Sequence, residues 1–594
     1  MMENKIPRPE YPRPTMIRDD WENLNGIWDF AFDFGQSGRE RRMFADGIFG
    51  HQITVPFCVE SELSGIGYTD FIPAVWYRRT FSVDDRSLSG RTLLHFGAVD
   101  YKAEVWINGE SVGKHTGGFT SFYFDITERL RIGENVIVVC AESDVRNPHQ
   151  PSGKQSHRYN SFNCFYTRAT GIWQTVWLER VHDTYIAAYK VISDIANQKI
   201  DLEIALSNTL ENSEYLYIEV YYDNRLIAEK SIIVQRDFVT TEVGLRELHL
   251  WDLGAPELYD LKITLQSGDQ VRGYFGMRSV RWDHKAFWLN NRIVFQKMIL
   301  DQGYYPEGIL TAPDDEALKK DILLAMELGF NGARLHQKVF EERYLYWADH
   351  LGYMVWSEMP NWGLDVSNRE ALLDFLPEWL EAMQRDYNHP SIIGWIPLNE
   401  TWNHRLTGAK QADDVVETVY RISKQIDPTR PVIDASGNFH VATDIYDIHW
   451  YEQDPIIFKQ AFEDAFSAGM VFDNHPERQK YAGQPYFISE YGGTWWSNLD
   501  ERKENWGYGQ RPKNQEEFYH RYTELTSTLM TFEQVCGFCY TQLTDVEQEQ
   551  NGLYDYHRNK KFDDTVYDAI RKVNRGTAEI ENRNGIRKEN EFND

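Results

Sequence analysis

Between about residues 20 and 180 the apolar positions come in short alternating bursts broken by turn residues, the two-residue period of half-buried strands. Stretches 103–107 and 135–140 are examples. Asn108-Gly109, directly after the first, is a hairpin signature because both residues tolerate positive φ. No helix-length period intervenes, so a β-sandwich is expected. From about 183 to 280 a second all-β pattern predicts strands at 200–207, 214–222, 226–234 and 261–266. Roughly 100 residues of short alternating strands suit an immunoglobulin-like sandwich.

Beyond 281 strand-length apolar runs alternate with helical periods. Strands are predicted at 293–301, 332–336, 353–358, 392–400, 432–436, 445–451, 486–491 and 537–544. Between them lie helices such as 315–328, with Leu318, Ile322 and Met326 on one face. Eight strands interleaved with helices over ~300 residues is the count for a (β/α)8 TIM barrel. The chain therefore divides at 1–182, 183–280 and 281–594, and the polar tail from Gly576 is expected to fray.

Composition removes several classes. With 42% hydrophobic residues the 594-residue chain can bury large cores, so general disorder is excluded. A net charge of −29 argues against a nucleic-acid-coating surface and against binding to anionic membranes. The opening MMENKIPRPEYPRP has charges and prolines where a secretory leader needs an apolar stretch, and no run approaches ~18 apolar residues. Five cysteines make no disulfide framework. The expectation is a soluble, cytoplasmic protein. Aromatics, at 14%, are the positive signal, because flat apolar rings serve as platforms for sugars. Twelve of the nineteen tryptophans fall in the barrel region, which suggests a pocket there.

In a barrel the C-terminal strand tips build the active site. Those tips carry Asp301, Arg334 with His336, Glu358, Asn399-Glu400, His449 with Tyr451, Glu490-Tyr491 and Thr544-Asp545. Trp362, Trp402, Trp495 and Trp496 are interleaved with them. Glu400 and Glu490 close the fourth and seventh apolar runs, so their carboxyls should face each other across the mouth. Burial of such a strand end raises a carboxyl pKa, which suits a general acid, while a second carboxylate kept ionised suits a nucleophile. About 5–5.5 Å between such a pair means retaining glycoside hydrolysis, and about 6.5–9.5 Å means inversion.

The Asn-Glu ending strand four and the Glu490-Tyr491-Gly492 ending strand seven resemble the catalytic signatures of glycoside hydrolase family 2. Asn388-His389-Pro390-Ser391-Ile392 resembles the family's lead-in to the acid/base. Gly171-Ile172-Trp173-Gln174 resembles the close of its jelly-roll sugar-binding domain, and Phe275-Gly276-Met277-Arg278 its entry into the barrel. The resemblance implies a jelly-roll, an immunoglobulin-like sandwich and a TIM barrel, and a retaining exo-acting β-glycosidase. Glu400 matches its acid/base, Glu490 its nucleophile and Asn399 the partner of the sugar 2-hydroxyl. Tyr451 matches a tyrosine that orients the nucleophile, and His336 a histidine lining the glycone pocket. Asp301 and His449 are placed with the substrate-binding set, and Trp495 as a ring that stacks on the sugar.

Departures from the family pattern narrow the reading. Glu358-Met359-Pro360-Asn361-Trp362 lacks the histidine of the family's magnesium motif, so no required cofactor is expected and a divalent cation is unsupported. Asn559-Lys560-Lys561 spells the glucuronidases' carboxylate clamp at the wrong position. The corresponding Glu549-Gln550-Asn551 offers no cation. Terminal β-D-galactosides are therefore the expected substrates. A β-glucuronidase, α-L-arabinosidase, β-mannosidase or galactofuranosidase are the alternatives within the family. A non-catalytic carbohydrate-binding protein is the alternative of another class, disfavoured because both acids are present. The expected partner is an oligosaccharide or glycoside, with no nucleic acid and no membrane, and two β domains beside a barrel leave surface for a homo-oligomer. Cys536-Gly537-Phe538-Cys539 reads as buried packing, since residues three apart on a strand face opposite sides. Residues 113–118 read as a sandwich loop rather than a phosphate loop.

Overall fold

Asn108 and Gly109 both take positive φ, 52° and 85°, and join strands Lys102–Ile107 and Glu110–Thr116 as the sequence predicts. That turn's twist matches the strands it connects. The computed structural model describes residues 6–84, 89–401, 410–497 and 504–583. Its first unit is two antiparallel sheets, of six and four strands, that close over an apolar core including Trp28, Tyr77, Phe96 and Val139. Residues 113–116 lie within the edge strand Glu110–Thr116, so only Gly117 and Gly118 of the expected loop lie outside it. Long stretches without strand follow strand Gly133–Glu142, until Gly171–Ile172 resumes the ladder. The second unit pairs a three-stranded sheet with a four-stranded one around its own core. Seven strands in that arrangement are an immunoglobulin-like sandwich.

The third unit is the barrel. Its strands are β1 (Gln296–Asp301), β2 (Gly332–Leu335), β3 (Met354–Glu358), β4 (Ile392–Ile396), β5 (Ala435–Ser436), β6 (Tyr446–Trp450), β7 (Tyr486–Tyr491) and β8 (Val535–Tyr540). Seven of them form one parallel sheet in the order β4-β3-β2-β1-β8-β7-β6. The eighth, β5, pairs with the short strand Leu398–Asn399 that continues β4. Helix Asp315–Glu327 ends within a residue of its predicted bound. Asp314 caps its start by accepting from Ala317 N (2.9 Å).

Strand five was expected at 432–436 and is two residues long, and no helix separates it from β6. Asp434 is the physical reason. Its buried carboxylate accepts from Ala435 N (2.8 Å), Val441 N (2.7 Å) and Ala442 N (2.9 Å), so these donors are satisfied without ladder or helix. The tail also departs from expectation as far as residue 583. Ile580 is fully buried, and Glu581 accepts from Phe295 N (3.3 Å).

The tryptophan excess serves mainly as core. Trp356, Trp379 and Trp395 are wholly buried, and each indole N–H finds an acceptor: Gln296, Ser423 and Asp427 respectively. Trp496 packs against Phe562. Trp402 lies outside the described residues. No disulfide joins any of the five cysteines, and Cys536 and Cys539 are buried in β8. Among the described residues no helix is long and apolar enough to cross a membrane.

Candidate active site

Arg334 stands at the end of β2, wholly buried, and its guanidinium organises the barrel mouth. Its Nε donates to Glu358 Oε2 (2.7 Å), Nη1 to Glu490 Oε1 (2.7 Å) and Nη2 to Asn399 Oδ1 (2.6 Å). Charge-assisted bonds of this kind fix both partners. Glu358 has the guanidinium, the Gln337 N–H (2.9 Å) and His336 Nδ1 (3.0 Å) around it. Burial is the largest influence and raises its pKa, but the Arg334 charge, His336 and the Gln337 N–H together overcome it and hold it at about 2.

The two predicted glutamates come together. Glu400 follows Leu398–Asn399 with φ of +41°, left-handed backbone that a non-glycine residue adopts at a cost, often at functional sites. Its N–H donates to Ser436 O (3.0 Å), so the β4–β5 pairing sets its height in the mouth. Oxygens of Glu400 and Glu490 and a ring nitrogen of His449 all lie within 4.8 Å of one another. His449 bridges the acids, with Nδ1 2.7 Å from Glu400 Oε1 and Nε2 3.4 Å from Glu490 Oε1. Gly437 leaves room for that ring, since a Cβ there would lie 2.3 Å from Nδ1. The Tyr451 hydroxyl donates to Glu490 Oε2, and its ring stacks on Tyr508 at 3.4 Å.

The Glu400 pKa runs opposite to the sequence expectation. Burial is the largest influence and raises it. The His449 hydrogen bond, with the charges of His449, Lys154 and His336, overcomes burial and brings it to about 2.

Asn399 is clamped through its backbone by Asn361, which both accepts from its N–H (2.9 Å) and donates to its carbonyl (3.1 Å). Because Arg334 occupies Oδ1, the amide nitrogen is the free end, and among the described residues it has no partner. His336 is buried beside Glu358, and burial lowers its pKa, which leaves a neutral ring at pH 7. Trp495 is half-buried on the loop after β7, and among the described residues its indole N–H has no partner.

Asp301 is the outlier. Its carboxylate accepts from Gly303 N (2.9 Å) and Tyr344 OH (3.3 Å), and its charged neighbours are Asp321, Arg558 and Lys338. It makes no bond to the two glutamates. The sequence placed it in the mouth by strand position, and the hydrogen bonds it makes run to Gly303 and Tyr344.

The first sandwich supplies part of the mouth, which its sequence did not announce. Ser152 N and Gly153 N donate to Trp362 O (2.8 and 2.9 Å), and Gln548 Nε2 donates to Phe165 O (3.0 Å). Tyr166 OH donates to Glu549 Oε2 (2.5 Å). Lys154, on the same loop, is 6% exposed and holds its ammonium 4.2 Å above the centre of the Trp362 ring. The one available signal was the length of the strand-free stretch 143–170, since loops so long inside compact domains are commonly functional. Arg334 was visible at its strand tip, but not its partners.

Glu400, His449 and Glu490 offer three metal-ligand atoms. The Arg334 guanidinium already occupies Glu490 Oε1, and its charge repels a cation there, so the group does not suit a metal.

Three parallel matches agree with this architecture. The model for the sugar binding domain of glycosyl hydrolases family 2 matches residues 21–147, the model named for the family itself matches 184–278, and its TIM barrel domain matches 283–554. A barrel with paired carboxylates at its mouth, behind two sandwiches, defines the class. The chain belongs to glycosyl hydrolase family 2. It is 26% identical over 450 residues to a putative beta-glucuronidase of Formosa agariphila, a match covering 72% of this chain and 51% of that protein. It is 27% identical over 433 residues to a beta-galactosidase of Thermoanaerobacter pseudethanolicus, covering 69% and 54%. The chain thus spans about half the length of these curated relatives. A solved beta-glucuronidase from an uncultured Clostridium species superposes with a TM-score of 0.77 at 21% identity, covering 94% of this chain and 99% of that one.

Proposed function

We propose that the chain is a retaining exo-glycoside hydrolase acting on a terminal β-linked sugar of an oligosaccharide or glycoside. The observation that carries this reading is the Glu400–Glu490 pair, with oxygens within 4.8 Å, one held by Arg334 and Tyr451 and the other facing it through His449. That closeness is of the order of the ~5 Å separation at which one carboxylate attacks directly, and falls short of the roughly 6.5–9.5 Å that inversion uses. In the reaction, Glu490 bonds to the anomeric carbon as Glu400 gives its proton to the departing glycosidic oxygen. Glu400 then takes a proton from water, whose oxygen displaces Glu490 and releases the sugar. The free amide nitrogen of Asn399 donates to the 2-hydroxyl, a bond that strengthens in the transition state. His336 and Trp495 line the glycone side.

Glu490→Gln is expected to fold normally, lose covalent labelling by a 2-fluoro glycosyl inactivator and lower kcat by roughly 1,000-fold or more. Turnover of a nitrophenyl glycoside near the wild-type rate would overturn the assignment.

For the glycone, the barrel's own residues support a β-D-galactoside, because Glu549-Gln550-Asn551 carries no cation. A second reading, a hexuronide, is favoured by Lys154 and by the relative called a putative beta-glucuronidase.

A further inference from the structure

The cations of the mouth are unequally committed. Arg334 is spent on Glu358, Glu490 and Asn399. Lys154 is buried to nearly the same degree, yet among the described residues its ammonium makes no hydrogen bond and no ion pair. Its one close partner is the face of Trp362. A buried ammonium without an anion is unfavourable, and a ring face compensates only in part.

Its location gives that vacancy a meaning. Trp362 donates through Nε1 to Asn399 O (3.2 Å) and lies 6.4 Å from the His336 ring, so the ammonium is one ring away from the Asn399-Glu400 tip. Its charge acts on Glu400, His336 and Glu549 together. The loop that carries it is seated firmly. Gly153 has φ of +58° and approaches the barrel so closely that a Cβ would stand 2.5 Å from Gln337 O.

We propose that Lys154 reads a carboxylate on the glycone, so that the preferred substrates are β-linked hexuronides and the sandwich, not the barrel, supplies the recognising cation. The proposal rests on the glycosidase reading above. Glu549 does not stand bare against it: its carboxylate accepts from Tyr166 and Asn551, and Lys154 lies close enough for its charge to act on it.

The test compares nitrophenyl β-D-glucuronide and β-D-galacturonide with the matching β-D-glucoside and β-D-galactoside. Wild type is expected to favour at least one acid over its neutral counterpart by about 100-fold in kcat/KM, the scale of one charge-assisted contact. Lys154→Met, which keeps a stem over Trp362, should collapse that ratio by a similar factor, and Lys154→Arg should restore part of it. A wild-type preference for the neutral sugars, or an equal loss on acid and neutral substrates in Lys154→Met, overturns the proposal while leaving the glycosidase reading intact. Failure to turn over any glycoside, with no labelling of Glu490, sinks that reading and this one together. Should Lys154→Met not fold, inhibition of the wild type decides. D-glucuronate or D-galacturonate should compete about tenfold better than D-glucose or D-galactose, and equal inhibition refutes the role of Lys154.

Discussion

His449 shows how one side chain can set the state of another. Its Nδ1 contact keeps the Glu400 carboxyl near 2, although burial pulls the other way. In the proposed mechanism Glu400 must carry a proton when substrate is bound. A glycosidic oxygen that takes the imidazole's place removes the bond that disfavours that proton. Removing the ring has the same sign, because burial then acts with less opposition and the carboxyl moves up. Since kcat/KM reports the free enzyme, its alkaline limb should shift to higher pH in His449→Ala, even as the rate falls. Profiles from pH 4 to 9 check this. With its own limb below that range, wild-type kcat/KM should fall with pH throughout pH 4 to 9, whereas His449→Ala should hold a plateau at the acid end; a variant that falls as wild type does would mean His449 does not govern the Glu400 proton. The acids themselves were legible in the sequence, because each closes an apolar strand. The groups that tune them were not, because Arg334 reaches Glu358, Asn399 and Glu490 across 24, 65 and 156 residues of sequence.

At the scale of elements, legibility follows how a segment meets its hydrogen-bonding needs. β7 matches its predicted 486–491 bounds, since it is buried throughout and its apolar run ends where the ladder ends. β5 shrank because Asp434 substitutes for both ladder and helix, a replacement that hydrophobic period cannot register. The loop bearing Lys154 carries no period at all, and hydrogen bonds within the loop, to Asp100 of the sandwich and to the barrel give it shape. Gly153 is one close point of its docking on the barrel. Gly153→Ala meets both a left-handed backbone angle and the Gln337 carbonyl at 2.5 Å, and should cost about 2 kcal/mol or more. Because the loop must lift to relieve the clash, the uronide-to-neutral ratio should fall with stability. A melt and a ratio identical to wild type would show that the seat of the loop lies elsewhere.

Across the whole molecule the sandwich and barrel depend on each other, and the joint contains a titratable acid. Helix Ala371–Asp386 of the barrel points Glu378 into the sandwich, where it accepts from Phe119 N (2.7 Å) and is almost wholly buried. Glu381 beside it meets His115 Nε2 (3.0 Å) and Thr120 Oγ1 (2.7 Å), and Asp100 adds a further acid. Burial first, with those negative neighbours, raises the Glu378 carboxyl from 4.5 to about 8. Between these values the unfolded chain holds Glu378 ionised and the folded one holds it protonated. Folding then takes up a proton, and this group's contribution to stability falls as pH rises from 4.5 to about 8. Glu378→Gln keeps an oxygen for Phe119 N and cannot ionise, so it should lose that slope. The melting temperature of the variant relative to wild type should climb between pH 5 and pH 8 and level off above. Many groups titrate across this range, but the difference between the two proteins isolates this one. A difference that stays constant from pH 5 to pH 8 would mean that Glu378 is ionised in the folded joint, with its charge compensated by the backbone donors at Gly118 and Phe119.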